Sequence, residues 1–297
     1  MRPRNAPRTD PFTQGWGLFL LTRPLNGLLS ALGVLVGVLA AGVSPFESQS
    51  ITVKAGLVAL AAFLGTAGGN VLNDLRDLHI DRTAHPERPL PSGRVRIPVA
   101  RRAVLFFWAL AILAAYLADR EAGFLASGAV VLLTWYELKW KKEGLPGNIA
   151  VAVVSGSLFP LGALAVSGDL RVPLVLGLLA ALAHLGRELF KDAEDAKHDR
   201  AVRRTYAVRH GTKPATLLGA IFVLLAVTLS PLPHFLAAWD TRFLIAILPA
   251  DLLFVFAAVA AQYKPTHGRA AAKGAMVLAL LAFLYGAGWR IWSATPF

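Results

Sequence analysis

Apolar residues run along the chain in long blocks separated by short charged or Pro/Gly-rich breaks. Crossing a hydrocarbon core of about 30 Å takes roughly 20 helical residues. Nine blocks approach or exceed that length: 16–42, 51–78, 98–118, 122–138, 148–167, 173–196, 214–232, 242–262 and 273–293. The pattern predicts an all-α chain, a multi-pass membrane bundle of about nine transmembrane helices. No linker or low-complexity stretch divides it, so residues 1–297 read as a single integral-membrane domain.

Polar positions break this pattern in two related places. The second block ends in GNVLNDLRDLHIDRTAHPERPLPSG, with Asp74, Asp77 and Asp81; the sixth leads into the stretch from Arg187 to Gly211, with Asp192, Asp195 and Asp199. Both triplets read D-x-x-D-x-x-x-D at a constant offset of 118 positions, and the offset also aligns Asn70 with Glu188, Asn73 with Lys191 and Arg82 with Arg200. Positions i, i+4, i+7 and i+11 share one helical face. Carboxylates so close repel one another unless something positive sits among them, and a hard divalent cation suits them. Mg²⁺ takes oxygen ligands and is typically held by one or two carboxylates together with substrate phosphate oxygens. Two such faces would hold one polyphosphate between two metals. A merely solvated helix end accounts for one such face, but poorly for two at matched offset. The motifs end the second block of the first four and the second of the next four, which predicts two four-helix repeats in parallel orientation plus a ninth helix.

Composition agrees with a membrane protein: 56% hydrophobic residues, a mean hydropathy of +0.55 and 16% charged residues, against roughly 25% charged in soluble domains. The formal charge of +12 invites a nucleic-acid reading, but the positions of the basic residues argue otherwise. Of the 30 Lys and Arg, 21 belong to the N-terminal tail and the even-numbered connections, counting Arg101, Arg102 and Lys273 at the starts of the blocks that follow, and only Lys54, Arg120, Arg171 and Arg242 to the odd ones or the block starts beside them. By the positive-inside rule the N-terminus and both motif loops face the cytoplasm, at one surface of the cell membrane. No nucleic-acid partner is needed to explain the charge. The absence of cysteine excludes disulfides, thiol nucleophiles and Cys-ligated zinc. The basic N-terminus lacks an A-x-A-type cleavage site, so the first helix is expected to be retained.

The motifs NDLRDLHID followed by RPLPSG, and RELFKDAEDAKHD followed by RRTYAVRHG, resemble the UbiA superfamily of intramembrane prenyltransferases over nearly the whole chain. Further matches are TRPLN, with Arg23 and Asn26, and WYELKWKKEGLPGN after the fourth block. The resemblance implies transfer of a polyprenyl group from a polyprenyl diphosphate donor to a lipophilic acceptor, among membrane lipids, with Mg²⁺ as cofactor. It implies metal ligands among Asn70, Asp74, Asp77, Asp81, Asp192, Asp195 and Asp199, with Asp74, Asp77, Asp192 and Asp195 essential to catalysis. Substrate binding falls to Arg23, Asn26, Asn73, Arg88, Tyr136, Lys139, Lys142, Asn148, Arg187, Glu188, Lys191 and Arg204. Lys141 reads as a positive-inside residue only, and His184 as a hydrogen-bonded core residue. LKWKKEGLPGN and GRELFKDAEDAKHD look most similar to the geranylgeranylglyceryl phosphate branch, which implies a prenylglyceryl phosphate acceptor; an aromatic quinone precursor is the alternative.

The implied chemistry suits these residues. An allylic diphosphate ionises when its leaving group is neutralised, which Mg²⁺ does as a Lewis acid and positioned Arg and Lys side chains reinforce. An aromatic-lined apolar chamber then stabilises the cation and excludes water. A secondary transporter would also carry repeats and intramembrane charges, but its site is expected near the midplane at discontinuous helices rather than at two helix ends. A CDP-alcohol phosphotransferase would need a D-G-x-x-A-R element, which the chain lacks.

Overall fold

The computed structural model describes residues 10–199, 204–237 and 239–294, apart from the side chains of residues 198, 199 and 294. Among them there are helices and no strands. The helices are α1 (Pro11–Thr22), α2 (Pro24–Ala40), α3 (Gln49–Ala84), α4 (Ile97–Ala118), α5 (Arg120–Leu138), α6 (Leu145–Gly156), α7 (Leu158–Ala165), α8 (Arg171–Asp199), α9 (Tyr206–His210), α10 (Thr212–Leu229), α11 (Leu232–Ala237), α12 (Thr241–Tyr263) and α13 (Pro265–Ala294). Side chains set several starts. Asp10 accepts from the Thr13 amide at 2.7 Å, Ser48 from Ile51 at 3.3 Å and Asp119 from Glu121 at 2.7 Å, each satisfying a donor that the first helical turn leaves unpaired.

Seven described stretches are long and apolar enough to cross a membrane, or eight if the bent pair α1–α2 counts as one span. The expected nine blocks all fall on helices, but α5, with Arg120, Glu121 and Glu137, is not among those seven or eight. Three blocks differ in detail. The first is broken at Arg23, where α1 and α2 meet at 46°. The block 148–167 is divided between α6 and α7. The last helix begins at Pro265 rather than 273, because a charged stretch ends an apolar run without ending a helix.

Packing follows the rule for lipid as solvent, in which close van der Waals contact rather than water exclusion joins helices. Large apolar side chains point outward, among them Leu105, Phe106, Ile245 and Leu252, while Ala257, Ala261, Ala272 and Ala275 are buried between α12 and α13. Glycine lets α2 and α7 touch backbone to backbone: a Cβ on Gly162 would lie 2.0 Å from the Val34 carbonyl oxygen. This is a multi-pass membrane protein. Neighbours pack in pairs, α3 with α4, α8 with α10 and α12 with α13, while α3 and α8 stand on either side of a central cavity.

Candidate active site

The first acidic face occupies the last turns of α3, where Asp74 and Asp81 are buried. The break between α1 and α2 docks onto it. Pro24 disfavours a helical conformation for the residue before it, and Arg23 takes a left-handed backbone with φ 49° and ψ 67°. Asn70 donates to the Thr22 carbonyl at 2.9 Å, satisfying an acceptor freed by the break, and the Arg23 guanidinium pairs with Asp74. Asp81 accepts twice from Arg88, at 2.8 Å to each oxygen, which fastens the turn after α3.

Asp77 is held from the opposite direction. Lys141, in the connection between α5 and α6, donates to Asp77 at 3.1 Å, to Asn73 at 2.7 Å and to Glu137 at 2.9 Å. Sequence reasoning set this lysine aside as a surface charge; its side chain is only 9% exposed. The available signal was the i,i+4 spacing of Glu137 and Lys141, which joins a helix end to the residues beyond it. Its neighbours behave otherwise. Lys139 lies over the Trp135 ring at 5.7 Å, and Lys139 and Lys142 are both exposed and do not line the cavity.

The same connection reaches the second acidic face. Asn148 on α6 donates to Asp192 on α8 at 2.8 Å. The Arg204 amide donates to the Lys142 carbonyl at 2.8 Å, while the Arg204 side chain is exposed. Gly144, at φ +80°, allows this approach, since a Cβ there would lie 2.7 Å from the Tyr206 nitrogen. Glu188 pairs with Arg187 at 2.5 Å and with Lys191 at 3.5 Å, and Asp195 is half-buried. Glu194 pairs with Arg269 of α13 at 2.8 Å. The side chain of Asp199 lies outside the described residues.

Between the two faces opens a cavity of about 690 Å³. Arg23, Asn26, Asn70, Asn73, Tyr136, Arg187, Glu188 and Lys191 line it, whereas Asp74, Asp77, Asp192 and Asp195, next along α3 and α8, are not among the lining residues. Away from the motifs much of the lining is apolar, with Leu29 and Gly33 on α2 and Leu179 and Ala183 on α8. Trp108, Phe159, Phe254 and Phe283 add aromatic surface there. His184 bonds the Ala180 carbonyl at 3.0 Å, and Asp251 accepts from Ser230 at 2.7 Å in the deep part.

The donor atoms offered by the two motifs are carboxylate and amide oxygens, the set a hard divalent cation takes. Among the described residues no three His, Cys, Asp or Glu side chains converge on one point, because basic and amide partners hold the acids apart. These oxygens fit Mg²⁺ in kind, beside a cavity lined by Arg23, Arg187 and Lys191.

Comparison with known proteins bears directly on this geometry. The sequence model of the UbiA prenyltransferase family matches residues 30–285. Digeranylgeranylglyceryl phosphate synthase of Methanosarcina mazei is 37% identical over 270 residues, covering 88% of this chain and 93% of that protein. The synthase of the same name from Halobacterium salinarum is 36% identical over 275 residues, covering 92% and 97%. A solved structure described as digeranylgeranylglyceryl phosphate synthase in membranes superposes with a TM-score of 0.75 at 30% identity, covering 92% of this chain and 98% of that one. A UbiA homologue from Archaeoglobus fulgidus, solved with GPP and Mg²⁺, shares the fold at a TM-score of 0.68 and 18% identity, covering 93% and 99%.

Proposed function

Because the chain belongs to the UbiA prenyltransferase family, we propose that it carries out Mg²⁺-dependent transfer of a polyprenyl group from its diphosphate to the hydroxyl of a prenylglyceryl phosphate, a step of membrane ether-lipid synthesis. The observation that carries the reading is the cavity between α3 and α8, cationic and amide-rich where the two acidic motifs meet and aromatic beyond. The curated relatives named digeranylgeranylglyceryl phosphate synthase support the choice of acceptor.

Asn70, Asp74 and Asp77 on α3, with Asp192 and Asp195 on α8, would hold Mg²⁺; when bound, the metal neutralises the leaving diphosphate as a Lewis acid. Arg23, Asn73, Arg187 and Lys191 bind and orient diphosphate oxygens, and their fixed charges stabilise the negative charge that develops there. Glu188 positions Arg187 and Lys191, Asn148 positions Asp192, and Arg88 fixes the turn carrying Asp81. Asn26 and Tyr136 shape the entrance to the apolar part. As the allylic C–O bond breaks, its electron pair leaves with the diphosphate. The acceptor hydroxyl oxygen then bonds the allylic carbon, and its proton passes to the departed diphosphate. The apolar wall keeps water from competing, and aromatic faces favour the cationic carbon. Lys139, Lys142 and Arg204 contribute positive potential near the motifs.

The proposal includes α5 as a ninth span, two four-helix repeats followed by α13, and a cytoplasmic N-terminus and motif loops, as the distribution of Lys and Arg favours. The test is to offer purified protein labelled geranylgeranyl diphosphate with a panel of acceptors and identify the lipid formed. An ether of geranylgeranylglyceryl phosphate is the expected product. Efficient prenylation of a phenolic quinone precursor, with no ether formed, would overturn the choice of acceptor.

A further inference from the structure

The cations around the cavity are unevenly matched. On the α3 wall Arg23 pairs with Asp74, and Lys141 with Asp77 and Glu137. On the wall formed by α8 and α13, Arg187, Lys191 and Lys273 all line the cavity; Arg187 and Lys191 share the carboxylate of Glu188, and Lys273 has no ion pair among the described residues. Lys273 is exposed and lines the cavity, and a cation on a membrane-crossing helix that faces a cavity without a counter-charge points to a ligand. Lys273 opens the last of the nine apolar blocks, where it reads as a boundary charge; in the structure it lies about two turns inside α13.

Depth follows from helix geometry. The Glu194–Arg269 pair pins α8 to α13 at 2.8 Å. The two helices run antiparallel from there, and Lys191 and Lys273 each lie about one turn, ~5 Å, further in. They therefore stand at one height. Below Lys273 the residues at i+3, i+4 and i+7, namely Met276, Val277 and Leu280, also line the cavity, since these positions share a helical face. A cation followed by an apolar stripe is the complement of an amphiphile with an anionic head and a hydrocarbon tail.

We propose that Lys273 binds the phosphate of the acceptor, next to the donor diphosphate held by Lys191, so that the α13 side of this wall is the acceptor-headgroup subsite and the α13 stripe below it takes the acceptor's own prenyl chain. The inference rests on the proposed function, which brings two anionic groups to one cavity. The donor diphosphate belongs with the acidic motifs; the acceptor's phosphate monoester, carrying close to two negative charges, needs a cation of its own.

The experiment measures initial rates with labelled geranylgeranyl diphosphate and two acceptors, geranylgeranylglyceryl phosphate and the phosphate-free geranylgeranylglycerol. For wild-type protein the phosphorylated acceptor has the lower KM. In Lys273→Met that KM rises about tenfold or more, the size of one lost charge-assisted hydrogen bond, while the donor KM and the KM for geranylgeranylglycerol hold. Lys273→Arg restores most of the preference. Lys264→Met, at an exposed position beyond α12, controls for surface charge and leaves all three constants unchanged. A preference for the phosphorylated acceptor that persists in Lys273→Met, or a rise in donor KM instead, overturns the subsite and leaves the proposed function standing. Wild-type protein that uses neither acceptor removes the proposed function and the subsite with it.

Discussion

Lys141 reaches Asp77 at 3.1 Å from the connection between α5 and α6, and through that contact the first acidic motif is tied to the segment that also holds the second. A few residues on, the Lys142 carbonyl takes the Arg204 amide and Asn148 holds Asp192. The stretch 139–148 is thus a bracket between two motifs separated by more than a hundred residues of sequence, and Lys141 is its charged anchor.

Replacing that anchor by methionine takes away the cation that Asp77 and the buried Glu137 share. Breaking a buried ion pair from one side costs roughly 3–5 kcal/mol, so Lys141→Met should unfold well below wild type in a detergent melt. Adding Glu137→Gln removes one of the stranded charges and should recover a good part of the loss. Equal instability of the single and double variants would show that Glu137 is no part of the network.

Asp→Asn at Asp74, Asp77, Asp192 or Asp195 keeps size and hydrogen bonding but removes charge. Turnover should fall by orders of magnitude while the protein stays folded; EDTA should abolish activity and added Mg²⁺ restore it. The acids were expected to repel one another, yet the structure pairs them, so Asp74→Asn and Asp77→Asn lose some stability rather than gaining it. Asp81→Asn loses its two bonds from Arg88 and is expected to loosen the following turn more than it slows the reaction. If Asp192→Asn and Asp195→Asn turn over normally, the second motif is structural and the paired site is wrong.

Reporter fusions after Gly93 and after His210 should both read cytoplasmic, because both connections carry the basic excess and because contacts at 141–144 tie both motif ends to one end of the bundle. One cytoplasmic and one external reading would be incompatible with that end carrying both acidic faces.

Much of the architecture was legible in the sequence because lipid enforces a simple code. Apolar blocks mark where chain can cross hydrocarbon, and all nine fall on helical stretches, seven or eight of them long and apolar enough to span. What the blocks mark is contact with lipid rather than backbone conformation, which is why α3 continues through its polar turns to Ala84 and α13 begins at Pro265. The acids of the site stood out by repetition. Their partners did not, since Lys141, Glu137 and Lys273 repeat nothing and owe their placement to the packing of distant helices. Only the fold distinguishes Lys141, buried against Asp77, from the exposed Lys139 two residues earlier.

Arg23 joins backbone strain to charge, and the two are separable by substitution. Its φ of 49° lies in the left-handed region, which costs a residue with a Cβ about 1 kcal/mol relative to glycine. Its side chain neutralises Asp74, whose own side chain is 7% exposed. Arg23→Ala keeps the backbone strain and strands the carboxylate; Arg23→Gly strands the carboxylate but relieves the backbone. In detergent melts Arg23→Gly should therefore be the more stable of the two by about 1 kcal/mol. Both should lose donor affinity alike, because both lack the guanidinium, and Arg23→Lys should recover part of it at the stability of a strained backbone. Arg23→Ala at least as stable as Arg23→Gly would mean that the break between α1 and α2 does not hold this conformation in the membrane. An unchanged donor KM in both variants would leave Arg23 as a partner for Asp74 alone, with no contact to the diphosphate.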